Sequence, residues 1–421
     1  MPMTVVLPWL VLSLILAKWA AQIWLERLNC SHVAAHASSV PEPFKGTIDL
    51  STYAKSVEYT LAKGRLDQIE TTYDAFLLLI VLFSGVLPAI YALLAQNLGY
   101  SAGARAAFLF ILGAALSLLG LPFAWYRQFR LEERFGFNTT TQKLWWLDRL
   151  KALLLGLALG FPLLVLILKL VDWTGPSWWL WAWAALLCFQ LVMSVLAPIF
   201  ILPLFNKFIP LPDGSLKARL LTLAERTRFR ANSIQIMDGS KRSRHSNAFF
   251  TGFGRFRKIV LFDTLIQQLA EPELEAVLGH EIGHFKKRHI PRMLLFSAFV
   301  SLAGFYIVSK FANLDWFYRG FGFGNRDTAI ALLLFGLLSG VITFWFSPLA
   351  HWWSRRYEYQ ADAFAAAVMN NPQPLMDALR KLNEKNLTNL TPHPVYSGFY
   401  YSHPTLLERE RALQASPQSR K

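Results

Sequence analysis

Residues 178–202 read WWLWAWAALLCFQLVMSVLAPIFIL, 25 positions without a charged side chain. A helix needs about 20 mostly apolar residues to cross the hydrocarbon core of a bilayer, and this stretch is long enough. Six others reach or approach that length, at 4–25, 75–95, 106–126, 152–171, 291–311 and 328–346. The span at 291–311 is the weakest, because Lys310 shortens it. One such segment could be a buried core helix, but seven in 421 residues point to lipid. Composition agrees: 54% of the residues are hydrophobic and only 16% charged, against about 25% charged in soluble domains. Pro88, Pro162 and Pro198 fall inside spans and predict kinks there. The first span has no basic leading region and no small-residue cleavage site, so it reads as retained rather than as a cleaved signal.

The formal charge is +15. Nucleic-acid binding is one cause of such an excess, but here the basic residues flank apolar segments instead of forming a separate basic domain, which argues for membrane sidedness and against nucleic acid. Arg27, Lys45, Lys55, Lys63 and Arg65 lie in the first connection, and Arg127, Arg130, Arg134, Lys143, Arg149 and Lys151 in the third. The short second, fourth and sixth connections hold only Arg105, Arg319 and Arg326. An excess of Lys and Arg marks the cytoplasmic side. The N-terminus is therefore expected outside, and the odd connections and C-terminal tail in the cytoplasm. Cys30 and Cys188 form no disulfide framework and suit a reduced compartment.

The longest polar stretch, 206–290, falls in the fifth connection. Residues 216–226 suit a helix and 233–237 alternate like a strand. Residues 247–250 and 259–262 can pair across the glycines between them, and 273–286 read as a helix with Pro272 near its start. That helix carries His280-Glu281-Ile282-Gly283-His284. Residues four apart share a helix face, so both imidazoles can bind one Zn²⁺, with Glu281 beside them as general base for the attacking water.

A catalytic zinc takes three protein ligands. His289 is half a turn off the face of His280 and His284, and His245 sits in a basic loop with nothing to support it as a ligand. Glu358, in Arg355-Arg356-Tyr357-Glu358-Tyr359-Gln360-Ala361-Asp362, is better placed. Asp362 is one turn beyond it and can bond a ligand imidazole. Spans six and seven return the chain to the side it left, which sets His284 and Glu358 at similar heights, roughly 10–18 Å from the bilayer edge. A salt bridge from Glu358 to Arg355 or Arg356 is the plainer use of that carboxylate, and His351, seven residues earlier, is a reserve ligand.

The chain resembles the type I CAAX prenyl endopeptidase family, integral-membrane zinc metalloproteases with eukaryotic and bacterial members. The likeness extends to Glu133-Arg134-Phe135-Gly136-Phe137-Asn138, Pro203-Leu204-Phe205-Asn206-Lys207-Phe208, Asn247-Ala248-Phe249-Phe250-Thr251-Gly252 and Ser402-His403-Pro404-Thr405. It implies seven helices around an intramembrane chamber, Glu358 as third ligand and Asp362 behind the ligands. It also implies that Asn247 holds the substrate backbone along an edge strand and that His403 contacts the scissile carbonyl.

The expected fold is mainly α and integral to the membrane, with seven transmembrane helices and a small α+β cytoplasmic zinc-metalloprotease region. Residues 1–205 would hold five spans, 206–290 the metalloprotease region, 291–350 two more spans, and 351–421 the third ligand. The expected activity is zinc-dependent peptide-bond hydrolysis with one Zn²⁺ per chain, either CAAX-like processing of prenylated substrates or general cleavage of membrane proteins and peptides. The length also suits bacterial relatives, where the site would face the cytoplasm from an inner membrane. A seven-helix metal transporter and an inactive protease-like scaffold are the alternatives.

Overall fold

The computed structural model describes residues 1–229, 233–251 and 258–415. The glycines expected to turn the hairpin, Gly252 and Gly254, lie outside the described residues, as does the end of the tail from residue 416.

Helix α1 (Met3–Ala35) contains the first expected span and continues about 15 Å past it. Helix α2 (Leu50–Phe83) starts at Asp49, whose side chain accepts from the Thr52 amide at 2.8 Å. It meets α3 (Val86–Leu98) at a bend of 55°. The second expected span, 75–95, is thus not one straight helix. Pro88 lacks the N–H that would bond the Ser84 carbonyl, and its ring crowds that carbonyl. Gly85, at φ 81, supplies the left-handed turn.

Helix α4 (Ala102–Tyr126) is capped by Ser101 and runs into a wide turn at Arg127–Glu132. Next come α5 (Gln142–Leu155), α6 (Phe161–Thr174), α7 (Trp178–Leu196) and the short α8 (Leu202–Phe205). Together Gln142–Phe205 make a 64-residue apolar helical stretch. At ~1.5 Å per residue this is about three bilayer thicknesses, so the chain must fold back. It does so at Gly175, φ 56, where α6 and α7 pack side by side. Wide helical turns lie just before Pro162, at Gly156–Gly160, and around Pro198, at Ala197–Ile201. Five helical stretches among the described residues are long and apolar enough to cross a membrane, or six if the bent pair is one span.

The polar part begins with β1 (Phe208–Pro210), α9 (Ser215–Arg226), β2 (Ser233–Met237), β3 (Ala248–Thr251) and β4 (Lys258–Phe262). The sheet order is β1-β2-β4-β3, with β2 and β4 parallel and the other pairs antiparallel. The expected pairing of 247–250 with 259–262 is present, and it leaves β3 at the edge. After α10 (Asp263–Gln268) comes α11 (Glu271–Lys286), with Pro272 in its first turn. Leu274, Leu278 and Ile282, one turn apart, bury that face of α11 against Ile259 and Leu261 of β4 and against Leu220 and Leu223 of α9.

Helix α12 (His289–Phe311), α13 (Asp315–Arg319) and α14 (Thr328–Thr343) follow. A single 3-10 turn then joins α14 to α15 (Ser347–Met369), so apolar segment and polar helix make one rod, Thr328–Met369. The chain closes with α16 (Gln373–Lys385), α17 (Pro394–Tyr400) and α18 (Leu406–Gln414).

Helix α11 meets α15 on the face opposite its leucines. A Cβ on Gly283 would lie 2.9 Å from Ala361 Cα and 3.1 Å from the Ala361 carbonyl oxygen, and one on Gly279 would meet Ala365 at 3.5 Å. Ala361 and Ala365 are fully buried there. Gly283→Ala gains about 1 kcal/mol of helix propensity. The obstacle is backbone, which cannot rotate away, and overpacking costs about 1–3 kcal/mol. The substitution should therefore lower the melting temperature in detergent; an unchanged value would contradict this packing.

Candidate metal centre

Helix α11 begins with Glu273 accepting from the Ala270 amide at 2.8 Å, which satisfies one of its free N–H groups. Glu273 also pairs with Lys381 of α16 at 2.6 Å, and Glu275 with Arg219 of α9 at 3.0 Å. These contacts fix α11 along and about its axis. His280 and His284, one turn apart, then face Glu358 of α15.

Ligand atoms of three residues converge. His280 Nε2 lies 3.1 Å from His284 Nε2 and 3.4 Å from Glu358 Oε2, and His284 Nε2 lies 3.3 Å from Glu358 Oε1. Metal–ligand bonds of ~2.0–2.1 Å in a tetrahedron place ligand atoms ~3.3–3.4 Å apart. Glu358 is 4% exposed, and its Oε2 has no hydrogen-bond partner among the described residues. A buried carboxylate oxygen left unpaired is costly. His280 Nδ1 donates to Asp362 Oδ1 at 2.8 Å, so Nε2 is the nitrogen that offers a lone pair once the ring gives up its second proton. A cation would satisfy all of these atoms at once.

Glu281 is half-buried beside the three, and burial pushes its carboxyl above the usual range. It lines a cleft of about 170 Å³ with Asn247, His403 and Arg409. The apolar wall of this cleft is Leu265, Val277, Leu375, Leu379 and Leu382. Burial lowers His280, but the carboxylates of Asp362, bonded to Nδ1, and of Glu358, 3.4 Å from Nε2, outweigh it, and the imidazolium is pushed up to about 9.

His403 is 64% exposed, with Nε2 3.4 Å from Glu358 Oε1 and Nδ1 3.0 Å from Ser402 Oγ. Asn247 is exposed at the start of β3; its carbonyl accepts from Phe262 N at 3.1 Å and its side chain from Ala248 N at 2.8 Å. Beyond β3 no strand is paired among the described residues.

The other candidates are engaged elsewhere. His351, the reserve ligand, donates from Nδ1 to the Phe399 carbonyl at 2.6 Å. His245 bonds Glu132 through Nε2 at 3.2 Å and Asn386 through Nδ1 at 3.0 Å, and it stacks on Phe137. The salt bridge weighed for Glu358 is not formed: Arg355 donates to the carbonyls of Gly398 and Tyr401, and Arg356 lies 4.0 Å over the Trp352 ring. Each cation thus has a nearer partner than Glu358. His289 lies off the ligand set, with Nδ1 3.0 Å from His284 Nδ1.

Nothing in the sequence singles out Arg409. It grips Asp362 with two bonds, at 2.8 and 2.6 Å, and stands 4.0 Å from Glu358 Oε2. It comes from Glu408-Arg409-Glu410-Arg411, which in sequence resembles any solvated helix face; only the half-apolar surroundings of Leu406 and Leu413 hint that α18 docks.

Comparison with known proteins bears on this geometry. Residues 29–207 match the family model described as CAAX prenyl protease N-terminal, five membrane helices, and residues 210–416 match peptidase family M48. The CAAX prenyl protease 1 homolog of Dictyostelium discoideum is 36% identical over 394 residues, 91% of each chain. CAAX prenyl protease 1 of Saccharomyces cerevisiae is 36% identical over 91% of this chain and 90% of its own. The crystal structure of S. mikatae Ste24p superposes with a TM-score of 0.91 at 33% identity, covering 98% of this chain and 99% of that one.

Because His280 is held protonated to about 9, protons compete with metal. A raised histidine value stabilises the fold below about 6.5 and loses that stabilisation as pH rises through about 9. After treatment with a chelator the protein should therefore become less stable between those limits. Its affinity for added zinc should rise over the same range, by up to about tenfold per pH unit. Affinity flat from pH 6.5 to 9 would count against this cluster as the binding site.

Proposed function

This chain belongs to peptidase family M48 as a membrane zinc metalloprotease, and we propose that His280, His284 and Glu358 hold one zinc ion per chain, with Glu281 as general base. The convergence of ligand atoms from three residues, each imidazole Nε2 3.3–3.4 Å from an oxygen of the Glu358 carboxylate and 3.1 Å from the other Nε2, carries this reading. Zinc bound there supplies Lewis acidity toward water and a carbonyl oxygen. Glu281 takes a proton from the attacking water and returns it to the leaving nitrogen. Its raised carboxyl brings it closer to the working pH, where a base is most effective. His403, at the mouth of the cleft, donates to the scissile carbonyl as negative charge develops on its oxygen. Asp362 orients His280, and Arg409 keeps Asp362 ionised.

The substrate binds as an added strand on the free edge of β3, guided by Asn247. The leucines of α16 and Val277 give the adjacent pocket an aliphatic preference. Relatives named CAAX prenyl proteases match over nine-tenths of their length, and we take prenylated C-terminal peptides as the substrate class. Seven spans, with α6 and α7 as separate crossings, would enclose a chamber able to shelter the lipid. The distribution of Lys and Arg supports a metal centre on the cytoplasmic face. The ligands stand on α11 and on the polar part of α15, outside the apolar spans, which speaks against a metal transporter.

Purified Glu281→Gln protein should retain about one zinc per chain while peptide cleavage falls by at least 10²–10⁴-fold. Retained cleavage would remove Glu281 from the mechanism. Native protein should cleave a farnesylated peptide with a lower KM than its unprenylated twin, as read by mass of products. Equal values would leave general peptide cleavage as the activity.

A further inference from the structure

We propose that His289 and Gln360 are positioning residues for His284: Gln360 holds His289 in one tautomer, and His289 in turn holds His284 in the tautomer that offers Nε2 to a metal. This rests on the reading of the site given above.

On an unbroken helix His289 would point away from His284. The chain instead breaks after Lys286, with Arg288 at φ 55, and restarts at His289 as the first residue of α12. The break returns the imidazole to His284. His289 is 1% exposed and stacks on Tyr357, with centroids 4.0 Å apart and planes 10° apart. Its Nδ1 is 3.0 Å from His284 Nδ1 and its Nε2 is 3.1 Å from Gln360 Oε1.

A neutral imidazole has one N–H, and an amide oxygen only accepts. His289 Nε2 must therefore donate to Gln360 Oε1, which leaves Nδ1 a lone pair. That lone pair can only accept, so His284 Nδ1 donates to it. His284 Nε2 is then unprotonated, and it faces His280 Nε2 and Glu358 Oε1. The opposite tautomer of His289 would reverse every link and put a proton on His284 Nε2, where a metal must bind. Helix α15 thus carries the third ligand, Glu358, and the start of both supports: Asp362 directly behind His280, and Gln360 behind His284 through His289. Tyr357 adds the surface that fixes the plane of the His289 ring.

The test measures zinc affinity of full-length protein in detergent by competition with a chromogenic chelator, and the visible spectrum of the Co²⁺-substituted form. His289→Phe keeps a ring against Tyr357 but removes the acceptor. Its zinc Kd should rise about 10–100-fold, with weakened or shifted Co²⁺ bands. His289→Asn puts an amide oxygen near the position of Nδ1 and should stay within about threefold of native. Gln360→Leu releases the tautomer and should fall between them. A zinc Kd for His289→Phe within about twofold of native would overturn the proposal. So would an equal loss in His289→Asn, since both would then report packing alone. If His289→Phe does not fold, an unchanged Kd in Gln360→Leu overturns it instead. Failure of native protein to bind zinc would defeat the metalloprotease reading itself, whereas native binding with indifferent variants defeats only the relay.

Discussion

Helices α11 and α15 can come together only where neither presents a side chain larger than a methyl group. Gly279 and Gly283 on one lie against Ala365 and Ala361 on the other, one turn apart on each. The ligands and their support sit on the same turns: His280 and His284 follow the two glycines, and Glu358 and the supporting Asp362 bracket Ala361. Closeness of the backbones is therefore what lets a short glutamate side chain reach between two imidazoles. The leucine face of α11, anchored on β4 and α9, presses the glycine face against α15 from behind. A helix buried on two opposite faces has little freedom to rotate, and rotation would separate the ligands first.

The segments shared with the prenyl endopeptidases surround this pair. The 133–138 run backs the loop that leads into β3: Phe137 stacks on His245 and accepts from Arg244 N at 3.0 Å, while Thr139 and Thr140 just beyond bond the Ser240 and Arg242 carbonyls. Glu132 joins that loop to α2 by accepting from Tyr59 at 2.6 Å and bonding His245 at 3.2 Å. Asn206 accepts from Arg242 at 2.9 Å, and the same guanidinium grips Asp148. A free edge strand needs such bracing, because without a second neighbour its position depends on its ends. Residues 402–405 bring His403 over the cleft and start α18, which delivers Arg409.

Much of this could be read from the chain because it follows from periodicity. Long uncharged stretches give the apolar helices, alternation gives β2, and the four-residue spacing gives a shared face for His280 and His284. The break at Ser84-Gly85 was less legible. Pro88 signalled a kink, but a proline alone does not say whether the helix bends gently or turns by 55°, since that depends on the glycine three residues earlier. Contacts distant in sequence were the least legible. Arg409 is 47 residues from Asp362 and carries no local mark. On a continuous helix His289 points away from the ligand face, which is all its position in the sequence implies. The helix ends three residues before it, and a left-handed Arg288 carries no strong signal in the sequence.

Charge balance explains why so polar a centre is stable between packed helices. Glu281, Glu358 and Asp362 contribute three carboxylates to one buried cluster. Among the described residues Arg409 is the only Lys or Arg within 4.0 Å of Glu358 or Asp362, and Glu281 has no ion pair at all. With neutral imidazoles, two negative charges remain uncompensated, and buried charge without a partner is strongly destabilising. Protons offset part of this: the carboxylates of Asp362 and Glu358 hold the His280 proton high, and burial, with Glu358 nearby adding to it, makes Glu281 resist ionisation. A divalent cation on the two Nε2 atoms and the Glu358 carboxylate would cancel the remainder, and it would do so at the point where Oε2 lacks a hydrogen-bond partner among the described residues. Metal binding and the stability of the α11–α15 pair are then coupled, because the ion that supports the chemistry also neutralises the charge these helices bury.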